Sequence, residues 1–251
     1  MCGRFAQTTK PKNIAEKLQI QLKVGLEEFQ PRYNVAPSSM VPCVRVPYGE
    51  TKPVLENLKW GLIPSWAKDP KIGFKLANAR AETVAELPSF RSAFKKQRCL
   101  VPIDGFYEWN QATQPKQPYY FSLKSKEPFY LAGLWEFWQP PTGAGSSYEP
   151  AHPKRGSRLA ASTQGGLLQT FTLITTKPNA VVAPVCDRMP VILDEKDFEP
   201  WLNPQNQDTA QLQTLLKPYP ADLLKGYPVS TFMSKAGSEG SMCIEKISLP
   251  E

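Results

Sequence analysis

Proline is the feature that most constrains this chain. It occurs 26 times in 251 residues, about 10% against a usual ~5%. Proline lacks an amide N–H and clashes with the preceding helical turn, so this content favours a strand- and loop-rich domain over a helical bundle. With 15 glycines alongside, the two residue types still stay below the ~25% that marks low complexity. Hydrophobic residues at 41% and charged residues at 21% are globular usage and exclude wholesale disorder. At roughly 150 residues per domain the length admits one large domain or two small ones.

No apolar run approaches the ~18 residues that span a bilayer, and Met1-Cys2-Gly3-Arg4-Phe5 lacks the layout of a secretory signal. The five cysteines stand at 2, 43, 99, 186 and 243. They are odd in number, far apart and never in a CxxC pair, which argues against a disulfide framework or a zinc site. Free thiols in a reducing, cytoplasmic setting are expected, with nucleoid association if the source is bacterial. Lysine and arginine total 30 against 23 acids, a net charge of +7. That gives the chain an electrostatic reason to meet a polyanion, informative only where the cations flank a site.

Ile14, Leu18, Leu22, Leu26 and Phe29 recur at three- and four-residue spacing, predicting an amphipathic helix over 11–29 that ends before Gly25. Strands are expected at 40–46, 54–60, 99–103, 119–123, 129–137 and 170–175. Helices are expected near 88–96, 178–183, 194–202 and 207–216. Strands outnumber helices without βαβ alternation, so the fold expected is α+β, a single domain. Its core is a curled, barrel-like antiparallel sheet with short helices around it. Residues 139–169, rich in Gly and Pro at first and poor in large apolar groups, read as an excursion between two strands. The tail 236–251 is expected to be loosely held.

Cys2 leads the chemistry. Initiator methionine is trimmed when the next side chain is small, which would leave an α-amine and a thiol on adjacent carbons. Their reference pKa values, roughly 7.7–8.0 and 8.5, give both a nucleophilic fraction near neutral pH. Such a 1,2-aminothiol condenses with an aldehyde to an imine, onto which the thiol closes a five-membered thiazolidine without needing external thiol. The bland alternative is a small second residue with no role. Gly3 permits close approach of a ligand, and Arg4 suits a phosphate. Trp60 and Trp66 flank a Gly/Pro turn beside Lys68, and aromatics interleaved with cations suit single-stranded nucleic acid; packing in a core is the competing reading, stronger for Trp60. Asn78-Ala79-Arg80 either serves a site or caps a short helix. Glu108, set among aromatics, should have a raised pKa suited to proton transfer, unless it points to water. Cys186-Asp187-Arg188 places a thiol, an acid and a guanidinium in succession.

These residues resemble the SRAP domain, the abasic-site-processing proteins whose members shield abasic sites in single-stranded DNA. The resemblance is carried by MCGRFAQ at 1–7, RYNVAPS at 32–38, KWGLIPSWAKD at 59–69, NARAET at 78–83, RCLVPIDGFYEW at 98–109, FTLITTKPN at 171–179 and DRMPVIL at 187–193. It spans roughly 1–235, with 139–169 as an insertion. It implies that Cys2 is the nucleophile, that Asn78 holds the sugar or the reacting amine, and that Glu108 is the acid/base carboxylate. It further implies phosphate contacts from Arg4, Arg80 and Arg188 and base stacking on Trp66. Peptidase-like and lyase-type imine chemistry, abasic single-stranded DNA as partner, a monomeric state, no cofactor and no metal belong to the same expectation. One position departs. The family usually carries histidine where this chain has Cys186, and the single histidine, His152, lies in the excursion. A thiol with pKa near ~8.5 is a poorer proton shuttle at neutral pH than an imidazole near ~6.5. Two other readings stay open: an N-terminal-nucleophile amidase acting on proteins, for which no oxyanion hole is identified, and a non-covalent reader of single strands.

Overall fold

The computed structural model describes residues 2–140, 167–235 and 237–249. In chain order the strands are β1 (Arg4–Gln7), β2 (Gln21–Leu22), β3 (Arg32–Val35), β4 (Met40–Arg45), β5 (Val54–Trp60), β6 (Asn78–Arg80) and β7 (Arg98–Ile103). There follow β8 (Gly105–Asn110), β9 (Gln117–Leu123), β10 (Phe129–Trp138), β11 (Leu168–Thr176), β12 (Met189–Pro190), β13 (Ile192–Leu193) and β14 (Leu224–Pro228). The helices are α1 (Pro11–Leu18), α2 (Arg91–Lys96), α3 (Phe198–Leu202) and α4 (Thr209–Thr214).

Five strands close on themselves. β11 pairs with β10, β10 with β7, β7 with β4 and β4 with β5, all antiparallel. β5 then returns to β11 in parallel, Lys59 and Trp60 opposite Thr170 and Phe171. Closure removes the exposed edges that an open sheet would leave. Strand alternation sends neighbours to opposite sides of this wall. Val44, Leu100 and Leu134 join Phe94 of α2 and Trp201 of α3 in one core. Cys43, Cys99, Val101 and Leu131 join Trp60, Phe171 and Phe5 in the other. A second, antiparallel sheet in the order β14-β9-β8-β1-β3 stands on that second core.

Asp104 joins the two sheets. It sits between β7 and β8, and its carboxylate accepts from the backbone of Thr8 and Thr9 and the hydroxyl of Thr9. This ties the start of the chain to the β7–β8 corner. Arg98, fully buried on β7, donates to the carbonyls of Trp201, Phe94 (2.8 Å), Asn203 (2.6 Å) and Asn206 (2.9 Å). Burial pushes its pKa down to about 10.

The α+β, barrel-containing architecture agrees with the sequence reading, with corrections. The sheet is mixed, because β2–β5, β6–β11 and β5–β11 run parallel. The helix expected to run toward Gly25 ends at Leu18, where Gln19 takes a left-handed conformation (φ 54°) and its N–H caps Ala15 and Glu16. Leu22 and Leu26 keep the helical spacing yet reach the same core from a strand and a loop. Over 178–183 there is a turn, held by Asn179 Oδ1 accepting from Val181 and Val182 at 3.1 Å. Pro184 supplies no N–H to extend it into a helix. The helix expected at 194–202 is a 3₁₀ turn followed by α3, and that at 207–216 narrows to α4, capped by Asp208. Asn78–Arg80 is a strand rather than a helix cap.

The tail expected to be loose is packed where it is described. Cys243 is fully buried, Tyr33 N–H donates to Glu239, Tyr227 O–H donates to the Ile244 carbonyl, and Val229 bridges to Lys246. Of the 139–169 excursion, 141–166, including His152, lie outside the described residues, while Leu168 and Gln169 belong to β11.

Candidate active site

Cys2 lies just ahead of β1, which is flanked on both sides in the second sheet: Phe5 faces Val35 of β3 and Phe106 of β8. The Cys2 side chain is fully buried. β8 brings Glu108 to the same place, since Arg4 is opposite Tyr107 and Glu108 follows. Glu108 is 2% exposed. Burial is the largest influence on its carboxyl and pushes the pKa up, against an opposing pull from the Cys186 thiol. The Cys2 thiol is raised well above its ordinary value by burial, then by Glu108 and Cys186.

Cys186 arrives from the loop before β12, just past the Asn179-capped turn, where its N–H donates to the Val182 carbonyl at 3.0 Å. Its thiol donates to Asp187 Oδ1 at 3.7 Å and lies within electrostatic reach of Glu108. Its pKa is raised by burial and then by Glu108. Asn78 comes from β6, which pairs in parallel with β11. Its Nδ2 donates to the Cys2 carbonyl at 2.9 Å. Its Oδ1 is buried and has no hydrogen-bond partner among the described residues. Three residues singled out from the sequence, Asn78, Glu108 and Cys186, each on a separate segment, thus meet around Cys2.

Arg4 Nη1 donates to Asn34 Oδ1 at 2.7 Å, and Asn34 in turn donates to the carbonyls of Met233 (2.8 Å) and Lys235 (3.4 Å). Gly3, Arg4, Glu108, Trp109, Gln111 and Lys116 line a cavity of about 420 Å³ that opens beside the buried groups. Arg80 is exposed at the end of β6. Arg188 stands differently. Its guanidinium holds Glu82 in a bidentate pair at 2.7 and 2.8 Å and the Thr175 carbonyl at 2.6 Å. It is therefore charge-paired inside the fold, not a free cation for phosphate.

Trp60 is a core residue, 1% exposed, with its Nε1 donating to the Ala77 carbonyl at 2.8 Å. Trp138 Nε1 donates to the Ala67 carbonyl at 2.7 Å. Between these two indole anchors the loop folds back on itself at Gly61 and Gly73, where a Cβ on either would come within 2.8 Å of the other's carbonyl oxygen. That close approach displays Trp66, 59% exposed, and Phe74, 68% exposed, among the exposed Lys68, Lys71 and Lys75. Phe74, Asn34, Asp187 and Lys116 were not singled out by role in the sequence. Asn34 and Asp187 sit inside recognisable motifs, but only spatial contact gives them a partner.

A closed barrel carrying a buried thiol near its N-terminus, a buried carboxyl of raised pKa and an exposed aromatic–basic loop defines the class of protein. The model of the family described as SOS response associated peptidase (SRAP) matches residues 1–236, and the chain belongs to that family. It is 40% identical over 246 residues to the abasic site processing protein YoqW of Bacillus subtilis (strain 168), covering 98% of this chain and 99% of that one. It is 29% identical to the abasic site processing protein HMCES of Xenopus tropicalis, covering 100% of this chain and 80% of that protein. A crystal structure of a protein from Bacteroides thetaiotaomicron shares the fold with a TM-score of 0.80 at 25% identity, covering 98% and 100% of the two chains.

Proposed function

We propose that this protein processes abasic sites in single-stranded DNA by covalent capture on Cys2 once Met1 has been removed. The observation that carries the reading is the convergence of Cys2, Asn78, Glu108 and Cys186 on one buried point. In the ring-opened form of an abasic site the sugar presents an aldehyde. The Cys2 amine adds to that carbon, and Glu108, holding its proton because it is buried, gives it to the departing hydroxyl, which leaves as water. The Cys2 sulfur then bonds to the same carbon while its proton passes to nitrogen, closing the thiazolidine. This transfer within the adduct lets a high thiol pKa serve, because no free thiolate need accumulate. Asn78 Oδ1, a buried acceptor lacking a partner, suits an N–H of the reacting amine, since Asn78 Nδ2 already grips the carbonyl of that residue.

The imine is also the branch point for lyase-type strand cleavage, because it acidifies the adjacent sugar carbon; ring closure by sulfur diverts it. Removal of Met1 is the peptidase-like step consistent with the family description. Arg4, Arg80 and the lysines near Trp66 suit the phosphates, and Trp66 suits a base beside the lesion. Phosphate capture by Arg188 is not part of this reading, given its pairing with Glu82.

The test is denaturing electrophoresis after incubation with an abasic oligonucleotide, using protein whose terminus is verified as Cys2. A heat-stable complex that disappears in Cys2→Ser supports the reading. Equal complex with Cys2→Ser overturns it, and capture of peptide substrates alone would favour an amidase.

A further inference from the structure

Cys186 places a second thiol at the nucleophile's own site. Cys2 and Cys186 are both buried in one apolar cluster, and both lie outside regular elements, Cys2 ahead of β1 and Cys186 ahead of β12. The Glu108 carboxyl lies within electrostatic reach of both thiols, and the two thiols lie within reach of each other. Cys43 and Cys99 share that cluster but are fixed on barrel strands β4 and β7, and Cys243 lies in the C-terminal segment, in a separate cluster. Backbone outside the ladders can shift toward the geometry a disulfide demands more readily than strands held by inter-strand hydrogen bonds.

We propose that Cys2 and Cys186 are a redox modification site, forming a reversible disulfide that withdraws the nucleophilic sulfur. With a peroxide as oxidant, one thiol sulfur attacks a peroxide oxygen, the O–O bond breaks, and the sulfur becomes a sulfenic acid as water leaves. The second sulfur attacks the sulfenic sulfur, the S–S bond forms, and the hydroxyl leaves with the remaining thiol proton as a second water. The two sulfurs supply the two electrons that reduce hydrogen peroxide to two waters, and a dithiol reverses the bond by exchange. The functional consequence rests on the role of Cys2 proposed above. The α-amine survives oxidation, so an imine still forms, but no sulfur remains to close the ring. A histidine at position 186 has no such chemistry.

The experiment treats the full chain with dilute hydrogen peroxide, removes it, and maps tryptic peptides without reductant. The expected product joins the Cys2 and Cys186 peptides, lighter by two hydrogens, and dithiothreitol separates them. Heat-stable adduct with abasic DNA should fall at least tenfold relative to the protein's own reduced sample and recover with dithiothreitol. Complex trapped by borohydride, which reads the imine, should persist. Cys186→Ser and Cys186→His, each compared with its own untreated sample, should show no dithiothreitol-reversible loss. Free or over-oxidised Cys2 with no link to Cys186, a link to Cys43, Cys99 or Cys243 instead, or reversible loss in both variants overturns the proposal. If reduced protein forms no adduct at all, the Cys2 reading fails, while the peptide map still decides the disulfide.

Discussion

Glu108 keeps its proton at pH values where a free carboxyl has lost it, because burial penalises the charged form. At low pH, with the carboxyl protonated in folded and unfolded chains alike, the group costs nothing. As pH rises through its raised folded value, the folded state must either hold a proton that the unfolded chain has released or bury a charge, and stability falls. Glu108→Gln has no such group, so its stability relative to the parent should grow from pH 4 to pH 8 in urea titrations; a constant difference would mean the carboxyl is not perturbed. The same variant should slow adduct formation by about a hundredfold, the lower range for general acid–base catalysis. Cys186 makes a second test. A thiol with its pKa raised by burial shuttles protons poorly near neutrality, so Cys186→His should speed adduct formation or its reversal. Measured rates that both stay unchanged would remove Cys186 from the proton path.

Among the elements, β8 places the carboxyl and depends on one missing side chain. A Cβ on Gly105 would come within 2.2 Å of the Tyr120 ring, whose plane packs against Tyr107 at 5.0 Å between centroids. Gly105→Ala should therefore cost about 1–3 kcal/mol, the range of overpacked cores, read as a lowered denaturation midpoint; an unaffected midpoint would show that Tyr120 has somewhere to go. Most strands were legible in the sequence because alternation and bounding Pro or Gly residues act locally. The helix extrapolated past Gln19 was not, because Leu22 and Leu26 satisfy helical spacing while serving a strand and a loop. Parallel pairings such as β6 on β11 join residues nearly a hundred positions apart, and no local pattern announces them. Cys2, Asn78 and Glu108 were recoverable as motif members. The Arg188–Glu82 pair and the Arg4–Asn34 contact were not, because charge alone does not say whether a guanidinium meets solvent or a carboxylate.

Taken whole, the molecule combines a net charge of +7 with a site whose thiols and carboxyl are buried. Under the proposed function, encounter with DNA belongs to exposed cations such as Arg80 and Lys68, and commitment to the covalent step at Cys2. On single strands each phosphate contact contributes about −0.7 to the slope of log affinity against log salt. Arg80→Ala should flatten the salt dependence of the adduct formation rate by about that amount, while the finished adduct stays insensitive to salt. An unchanged slope would remove Arg80 from the phosphate path. No described helix is long and apolar enough to cross a membrane. The most direct measurement is the intact mass of protein beginning at Cys2, before and after incubation with a single-stranded oligonucleotide carrying one abasic site. The account predicts a gain equal to the oligonucleotide less one water, resistant to heat and absent in Cys2→Ser. An unchanged mass after prolonged incubation, with the terminus verified as free, would contradict it.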